Sequence, residues 1–231
     1  MRSDARMPKL LSEFSVADWR HLRPLTHVLK IARYNVIDRA YRRRAAAAGD
    51  VAAVVQLARG RKLLVTVAFG DPTLVSWQTR LLRHYVPNAL HVIVDNSMTD
   101  NIAHEIYRGA VGAGTAYLRA PANPWSGHAA SRSHGIALNW TWENVIKSAE
   151  PEAFGFLDHD IFPIALDDPF APLASQEFYG VVRQAGARWF LWAGFCMFHF
   201  AAVREKNSTS ARIGSSALIL AAVTGVPFTA G

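Results

Sequence analysis

From residue 63 onward, short apolar runs alternate with stretches of helical period. Residues 63–69 (LLVTVAF) are continuously apolar and rich in β-branched side chains, the pattern of a strand buried on both faces. Gly70-Asp71-Pro72 ends that strand and predicts a helix, with Asp71 as its cap and Pro72 in its first turn. Leu74, Trp77, Leu81 and Leu82 are the expected inward stripe of that helix. Residues 91–94 predict a second strand ending at Asp95-Asn96-Ser97. A helix over residues 101–111 follows and is stopped by Gly112 and Gly114. Residues 116–118 give a third strand. After the loop 120–127, a long helix is expected from Ser126 or His128 to Ser148, with a Glu143–Lys147 pair one turn apart. Residues 154–157 form the fourth strand and run into Asp158-His159-Asp160. Four β-α units in succession predict an α/β fold, an open and mostly parallel sheet with helices on both faces.

Residues 15–58 read as helical. Val28, Ile31, Ala32, Val36 and Tyr41 recur at near-helical spacing, and Arg33, Arg39 and Arg43 fall between them. Two readings of this segment stand: a surface helix with a solvated basic face, or an interfacial helix resting on anionic lipid, which Trp19, Tyr34 and Tyr41 would suit.

Composition narrows the class. The 231 residues are 51% hydrophobic and 19% charged, which fits a folded globular chain and not a disordered or fibrous one. Cys196 is the single cysteine, so no intrachain disulfide and no cysteine zinc cluster can form, and a reducing cytoplasm is the expected setting. The first residues lack the apolar core of a secretory signal. The longest apolar run, residues 189–203, is broken by His199 and is shorter than the roughly 20 residues that cross a bilayer. The net charge of +7 is weighted toward the first 62 residues, and no nucleic-acid-binding motif accompanies it. Nucleic acid is therefore not an expected partner.

Ligands of open parallel sheets bind at the carboxyl ends of the strands. Three such ends carry polar or acidic residues: Gly70-Asp71, Asp95-Asn96-Ser97 and Asp158-His159-Asp160. Because a strand has a period of two, Asp158 and Asp160 project to one side, where two carboxylates can grip a divalent cation. The alternative is a capped, solvated turn.

Residues 63–160 resemble the GT-A fold glycosyltransferases, especially the large family-2-like group. The resemblance lies in Val94-Asp95-Asn96-Ser97-Met98-Thr99-Asp100, in Asn123 to Gly127 with Arg132-Ser133-His134-Gly135-Ile136, and in Leu157-Asp158-His159-Asp160. His134 departs from the family pattern, which often has Asn nearby. The resemblance implies a nucleotide-diphosphate-sugar donor, with Ala68, Phe69, Gly70, Asp95, Asn96, Arg132 and Asp158 around the nucleotide. Asp95 would accept a hydrogen bond from the base, and Arg132 would meet the diphosphate. Asp158 and Asp160 would hold Mn²⁺ or Mg²⁺. The acceptor would be a glycan, a lipid or a protein, with one of Trp189 and Trp192 lining its site and the other in the core. The implied organisation is an N-terminal basic helical segment (1–60), a nucleotide-sugar-binding domain (61–205) and an atypical tail (206–231). The expected location is cytoplasmic, with peripheral contact at the inner face of the membrane through residues 15–58.

The tail contrasts with the body. No acidic residue follows Glu205 and Phe228 is the one later aromatic, whereas all seven tryptophans lie earlier. A natural helix near residues 215–223 and a shifted reading frame both account for this. The second reading implies lost acceptor-side residues and a nucleotide-binding remnant without full activity. The later acids Asp167, Asp168, Glu177 and Glu205 offer no clear general base. A haloacid-dehalogenase-type phosphatase is the remaining enzyme alternative, although its Asp-x-Asp ends the first strand of its sheet and here the motif ends the fourth. A dinucleotide oxidoreductase is disfavoured, since no Gly-x-Gly-x-x-Gly follows the first strand.

Overall fold

The computed structural model describes residues 11–209 except 128, 186 and 187. Its elements in order are α1 (Val16–Arg20), α2 (Arg23–Arg42), α3 (Val51–Ala58), β1 (Lys62–Ala68), α4 (Pro72–Tyr85), β2 (Leu90–Asp95), α5 (Asp100–Gly112), β3 (Ala116–Arg119) and α6 (Ala130–Thr141). A π-helical turn (Trp142–Ile146) and α7 (Lys147–Ala149) prolong α6, and β4 (Ala153–Asp158), β5 (Phe178–Ala185), β6 (Arg188–His199) and α8 (Phe200–Thr209) follow.

The six strands form one sheet in the order β3-β2-β1-β4-β6-β5, with β1 to β4 parallel and the β5–β6 hairpin antiparallel at the end beside β4. The expected α/β class, with an open and mostly parallel sheet, is what forms. β1 explains why both faces need helices: Leu63, Val65 and Val67 enter one core, while Leu64 and Ala68 enter cores on the other face. The first core is closed by α2, α3 and α6, and the second face is covered by α4 and α5. The sheet order turns back between β1 and β4, so the crevice at their carboxyl ends is the topological switch point where ligands of such sheets bind.

Several local expectations are met. Asp71 caps α4, its carboxylate accepting from the amides of Thr73 and Leu74 at 3.0 Å each, with Pro72 in the first turn. Glu143 and Lys147 pair at 3.4 Å.

Two expectations need correction. Residues 15–58 are not one helix. The chain leaves α2 after Arg42 and runs extended, so that Ala48 bridges Arg119 on the edge strand β3. Gly49, at φ +90°, makes the next bend, and a side chain there would meet the Tyr117 carbonyl oxygen at 2.6 Å. The inward stripe of α4 is Val75, Gln78, Thr79 and Leu82, whereas Trp77 is half exposed, because hydrogen bonds to Thr66, Asp158 and Ile161 draw Gln78 inward. The aromatic run from Trp189 is mainly strand β6, paired with β4 and β5. The helix considered near residues 215–223 lies outside the described residues. Helices α2 and α3 share the sheet's first core through Tyr41, Val54, Val55 and Ala58.

Candidate functional site

At the switch point a cavity of about 250 Å³ opens between β1, β4 and the start of α6. Its lining includes Phe69, Asn96, Ser131, His134, Asp158 and Asp160. Four of the residues singled out in the sequence therefore meet in one place. Ala68 is fully buried beneath it, and its carbonyl oxygen accepts from the Asn96 amide at 2.9 Å, which extends the β1–β2 ladder by one rung. Gly70 is exposed at φ +78°, with its amide 3.4 Å from the Ser97 hydroxyl.

A polar lattice inside the protein holds the rim. Asn96 donates to the Ser133 hydroxyl at 3.0 Å and accepts from the Asn123 amide at 2.9 Å. Asn123 also donates to the Ser133 carbonyl oxygen at 2.9 Å and accepts from the Trp125 amide at 3.0 Å. Asn96, Asn123 and Ser133 thus tie together the end of β2, the loop after β3 and the first turn of α6.

Asp95 is fully buried. One carboxylate oxygen accepts from the Ser97 amide at 2.8 Å and the other from the Tyr117 hydroxyl at 2.7 Å. Burial, followed by the bond to Asp95, pushes the Tyr117 phenol well above its ordinary range, so it stays a donor. Asp95 therefore shapes the turn from within and does not line the cavity. Arg132 is also placed elsewhere: its guanidinium lies 3.7 Å from the Tyr34 ring centre and 5.4 Å from that of Trp125. That stacking fastens α6 to α2, and Arg132 is not part of the cavity wall.

Beneath the Asp-x-Asp turn lies a relay that hydropathy patterning does not reveal. The Gln78 side-chain amide donates to the carbonyl oxygens of Asp158 at 2.7 Å and Ile161 at 2.8 Å, and its own oxygen accepts from the Thr66 hydroxyl at 2.8 Å. Thr66 has one proton to give, and Gln78 takes it. His91, 3.0 Å from that hydroxyl, must therefore present Nε2–H as donor. Its Nδ1 is buried without a partner, and desolvation lowers its pKa to about 4. His91 is thus a neutral imidazole. The one available signal was a glutamine set among the apolar positions of α4.

On the open side, His134 Nε2 lies 3.4 Å from an Asp158 carboxylate oxygen. Burial lowers the imidazole pKa, and the Asp158 carboxylate works against that shift. Asp160 is exposed. The two tryptophans separate clearly: Trp189 packs on the main core beside Phe178, whereas Trp192 lies against Gly194 next to the Asp158 carboxylate. The cause is an irregular stretch of β6. Val182 pairs with Leu191 and Gly180 with Cys196, so residues 192–195 face a single residue of β5, and the ladder with β4 ends at the Leu157–Phe195 pair. None of Asp167, Asp168, Glu177 and Glu205 lines the cavity. Burial opposes ionisation of Asp168, but bonds from Lys62 at 2.7 Å and from the Phe170 amide outweigh it and hold the carboxyl below its ordinary range.

Among the described residues no three or more His, Cys, Asp and Glu side chains come together as a metal cage. Asp158 and Asp160 do supply hard oxygen donors at one mouth, which is the donor type that Mn²⁺ and Mg²⁺ take. No described helix is long and apolar enough to cross a membrane.

Neither a protein-family model nor a curated protein matches the chain. Among solved structures it is similar to a mannosyltransferase from Pyrobaculum calidifontis in complex with GDP-Man and Mn²⁺, with 12% identity and a TM-score of 0.45. The match covers 78% of this chain and 55% of that one, so the chain spans about half the length of that structure. A likeness at this level says nothing of substrate, and the functional reading rests on the site itself.

Proposed function

We propose that the switch-point cavity binds a nucleotide-diphosphate sugar through a divalent cation and that the protein is a GT-A-type glycosyltransferase. The observation that carries this reading is the meeting of Asp158 and Asp160 with the start of α6 across one small cavity. The N-cap position of α6 is Ala129, which has no side-chain acceptor, so the first-turn amides have no side-chain cap. Such amides, with the positive end of the helix dipole, suit a diphosphate. Mn²⁺ or Mg²⁺ on Asp158 and Asp160 would complete its shell with phosphate oxygens and water, and when bound it neutralises charge on the departing diphosphate.

The protein's own residues supply the rest. Phe69, 37% exposed at the end of β1, offers a flat apolar face to the nucleoside. Asn96 faces the cavity from the lattice with Asn123 and Ser133, and Asp95 acts as a positioning residue behind it. Trp192, beside Asp158 though outside the cavity lining, would stack on a sugar, and Trp189 belongs to the core. Arg132 positions α6 against α2.

Calorimetric titration with GDP and UDP, with and without Mn²⁺, tests the reading. The native chain is expected to bind one of them only with metal, and Asp158→Asn with Asp160→Asn is expected to abolish that binding while the thermal midpoint holds. Binding that is indifferent to both metal and the double substitution would refute the cation-bridged site.

A further inference from the structure

Helix α2 has two faces with different fates. Its inner face is fully engaged: the Tyr41 hydroxyl donates to the Pro121 carbonyl at 3.1 Å, Tyr34 meets Trp125 edge-on at 5.0 Å, and Arg42 reaches Glu143 at 3.4 Å. The outer face holds Leu22, Leu25, Leu29 and Val36, which are 58%, 53%, 70% and 69% exposed. Leu25, Leu29 and Val36, four and seven residues apart, align in one stripe along about three turns, and Leu22 sits at the N-cap. On α1, Val16 and Trp19 add exposed apolar surface. A soluble surface helix normally puts these residue types inside, and a continuous exposed apolar stripe marks a binding face.

The charge pattern identifies the partner. Exposed Arg33, Arg39 and Arg43 line or flank the stripe, while the Lys30 ammonium lies over the Tyr34 ring at 5.6 Å. Between Val16 and Arg44 the sequence has eight basic residues and two acids, Asp38, which is buried, and Asp18, which is paired with Arg23 at 2.8 Å. A second copy of this face would set like charges against one another, so self-association through it is opposed. A surface of phosphate headgroups over acyl chains satisfies both features together: aliphatic side chains enter the acyl boundary, while long basic side chains lie along it with their charges at the headgroups.

We propose that the outer face of α1 and α2 docks on an anionic lipid bilayer, with Leu22, Leu25, Leu29 and Val36 inserted and Arg33, Arg39 and Arg43 on lipid phosphates. The helix lies in the membrane plane and does not cross it. Because Arg132 stacks on Tyr34 of α2, the helix that docks is also fastened to α6, whose first turn borders the cavity. This inference does not depend on the chemistry of that cavity.

Co-sedimentation of the full chain with vesicles tests it, using phosphatidylcholine alone and phosphatidylcholine mixed with phosphatidylglycerol. The expected result is binding to the mixed vesicles, weakened by added salt, and little binding to phosphatidylcholine alone. Leu25→Ser with Leu29→Ser, and separately Arg33→Gln with Arg39→Gln and Arg43→Gln, are each expected to lower vesicle affinity about ten-fold or more. All these positions are exposed, so the circular dichroism spectrum and melting midpoint should be unchanged. Arg80→Gln with Arg108→Gln, on α4 and α5, should bind like the native chain. Failure to bind mixed vesicles, or equal loss in the α4/α5 variant, overturns the proposal. A dimer in sedimentation velocity that Leu25→Ser with Leu29→Ser disperses would overturn it in favour of a second copy.

Discussion

Gln78 holds the backbone of Asp158 from inside the protein: its amide nitrogen lies 2.7 Å from the Asp158 carbonyl oxygen and 2.8 Å from that of Ile161. The Asp-x-Asp turn is therefore braced by a side chain on α4, twelve residues along the chain from Thr66, whose hydroxyl orients that same amide. Gln78→Met keeps the approximate volume and removes both donors. Two carbonyl oxygens and the Thr66 hydroxyl then lose a partner, at a cost of about 2–4 kcal/mol. The expected result is a midpoint lower by roughly 5–15 °C, given about 2–4 °C per kcal/mol for a chain of this size, together with loss of metal-dependent nucleotide binding. A variant that melts like the native protein would show that this brace contributes nothing.

His91 makes stability depend on pH. Its folded pKa of about 4 lies below its ordinary 6.5, so as pH falls the unfolded chain takes up the proton first. By linkage, stability is undiminished by this group above about pH 6.5, declines as pH falls toward 4, and loses nothing more from it below that. The full loss is roughly 3 kcal/mol, at about 1.4 kcal/mol for each pH unit that separates the folded and unfolded titrations. Urea denaturation of the native chain and of His91→Leu from pH 7 to pH 4 measures it. The native slope should be steeper across that window, and equal slopes would show that His91 does not titrate on unfolding.

Much of the fold was legible because buried strands and capped helices leave local marks. The run LLVTVAF, Asp71 before Pro72, and the glycines at and just past the end of α5 each dictate their structure through neighbours in sequence. The convergence of the candidate site was legible in part for a different reason: strand ends of one sheet must converge, so Asp158, Asp160, Asn96 and Phe69 line one cavity. What failed depended on partners distant in sequence. Asp95 faces inward because Tyr117 lies on the next strand, and Arg132 turns aside because Tyr34 waits on α2. Neither the phase of α4 nor the outward turn of Val28 and Val36 could be read from period alone. Gln78 counts as polar in any pattern, and only its three bonds explain its burial.

Asn123 links three chain segments with one side chain, to Asn96, to the Ser133 carbonyl oxygen and from the Trp125 amide. Asn123→Ala leaves the Asn96 oxygen and the Trp125 amide without that partner in a half-buried setting. A cost of about 1–3 kcal/mol is expected. Asn123→Asp is the informative companion, because it can still accept from the Trp125 amide but cannot donate to Asn96 or Ser133. If the donor bonds matter most, the two variants should have similar melting midpoints, both below native. A native-like Asn123→Asp would assign the whole effect to the Trp125 amide.

Gly194 is the point where packing and chemistry meet. A Cβ built there would collide with the Trp192 ring and would lie 2.6 Å from the second Asp158 carboxylate oxygen. Trp192 is only half-buried, with the Arg183 guanidinium 5.5 Å from its ring centre, so the ring has room to yield. The Asp158 carboxylate, fixed through its own backbone by Gln78, has less. Gly194→Ala should therefore disturb the cavity far more than the fold. Metal-dependent nucleotide affinity is expected to fall about ten-fold, near 1.4 kcal/mol, while the melting midpoint drops by only a few degrees. Gly112→Ala is the control, since a methyl group there, at the end of α5, meets no atom within 4 Å, and it should leave both quantities unchanged. Native affinity in Gly194→Ala would mean that Trp192 moves aside without disturbing Asp158, and would detach this tryptophan from the proposed sugar site.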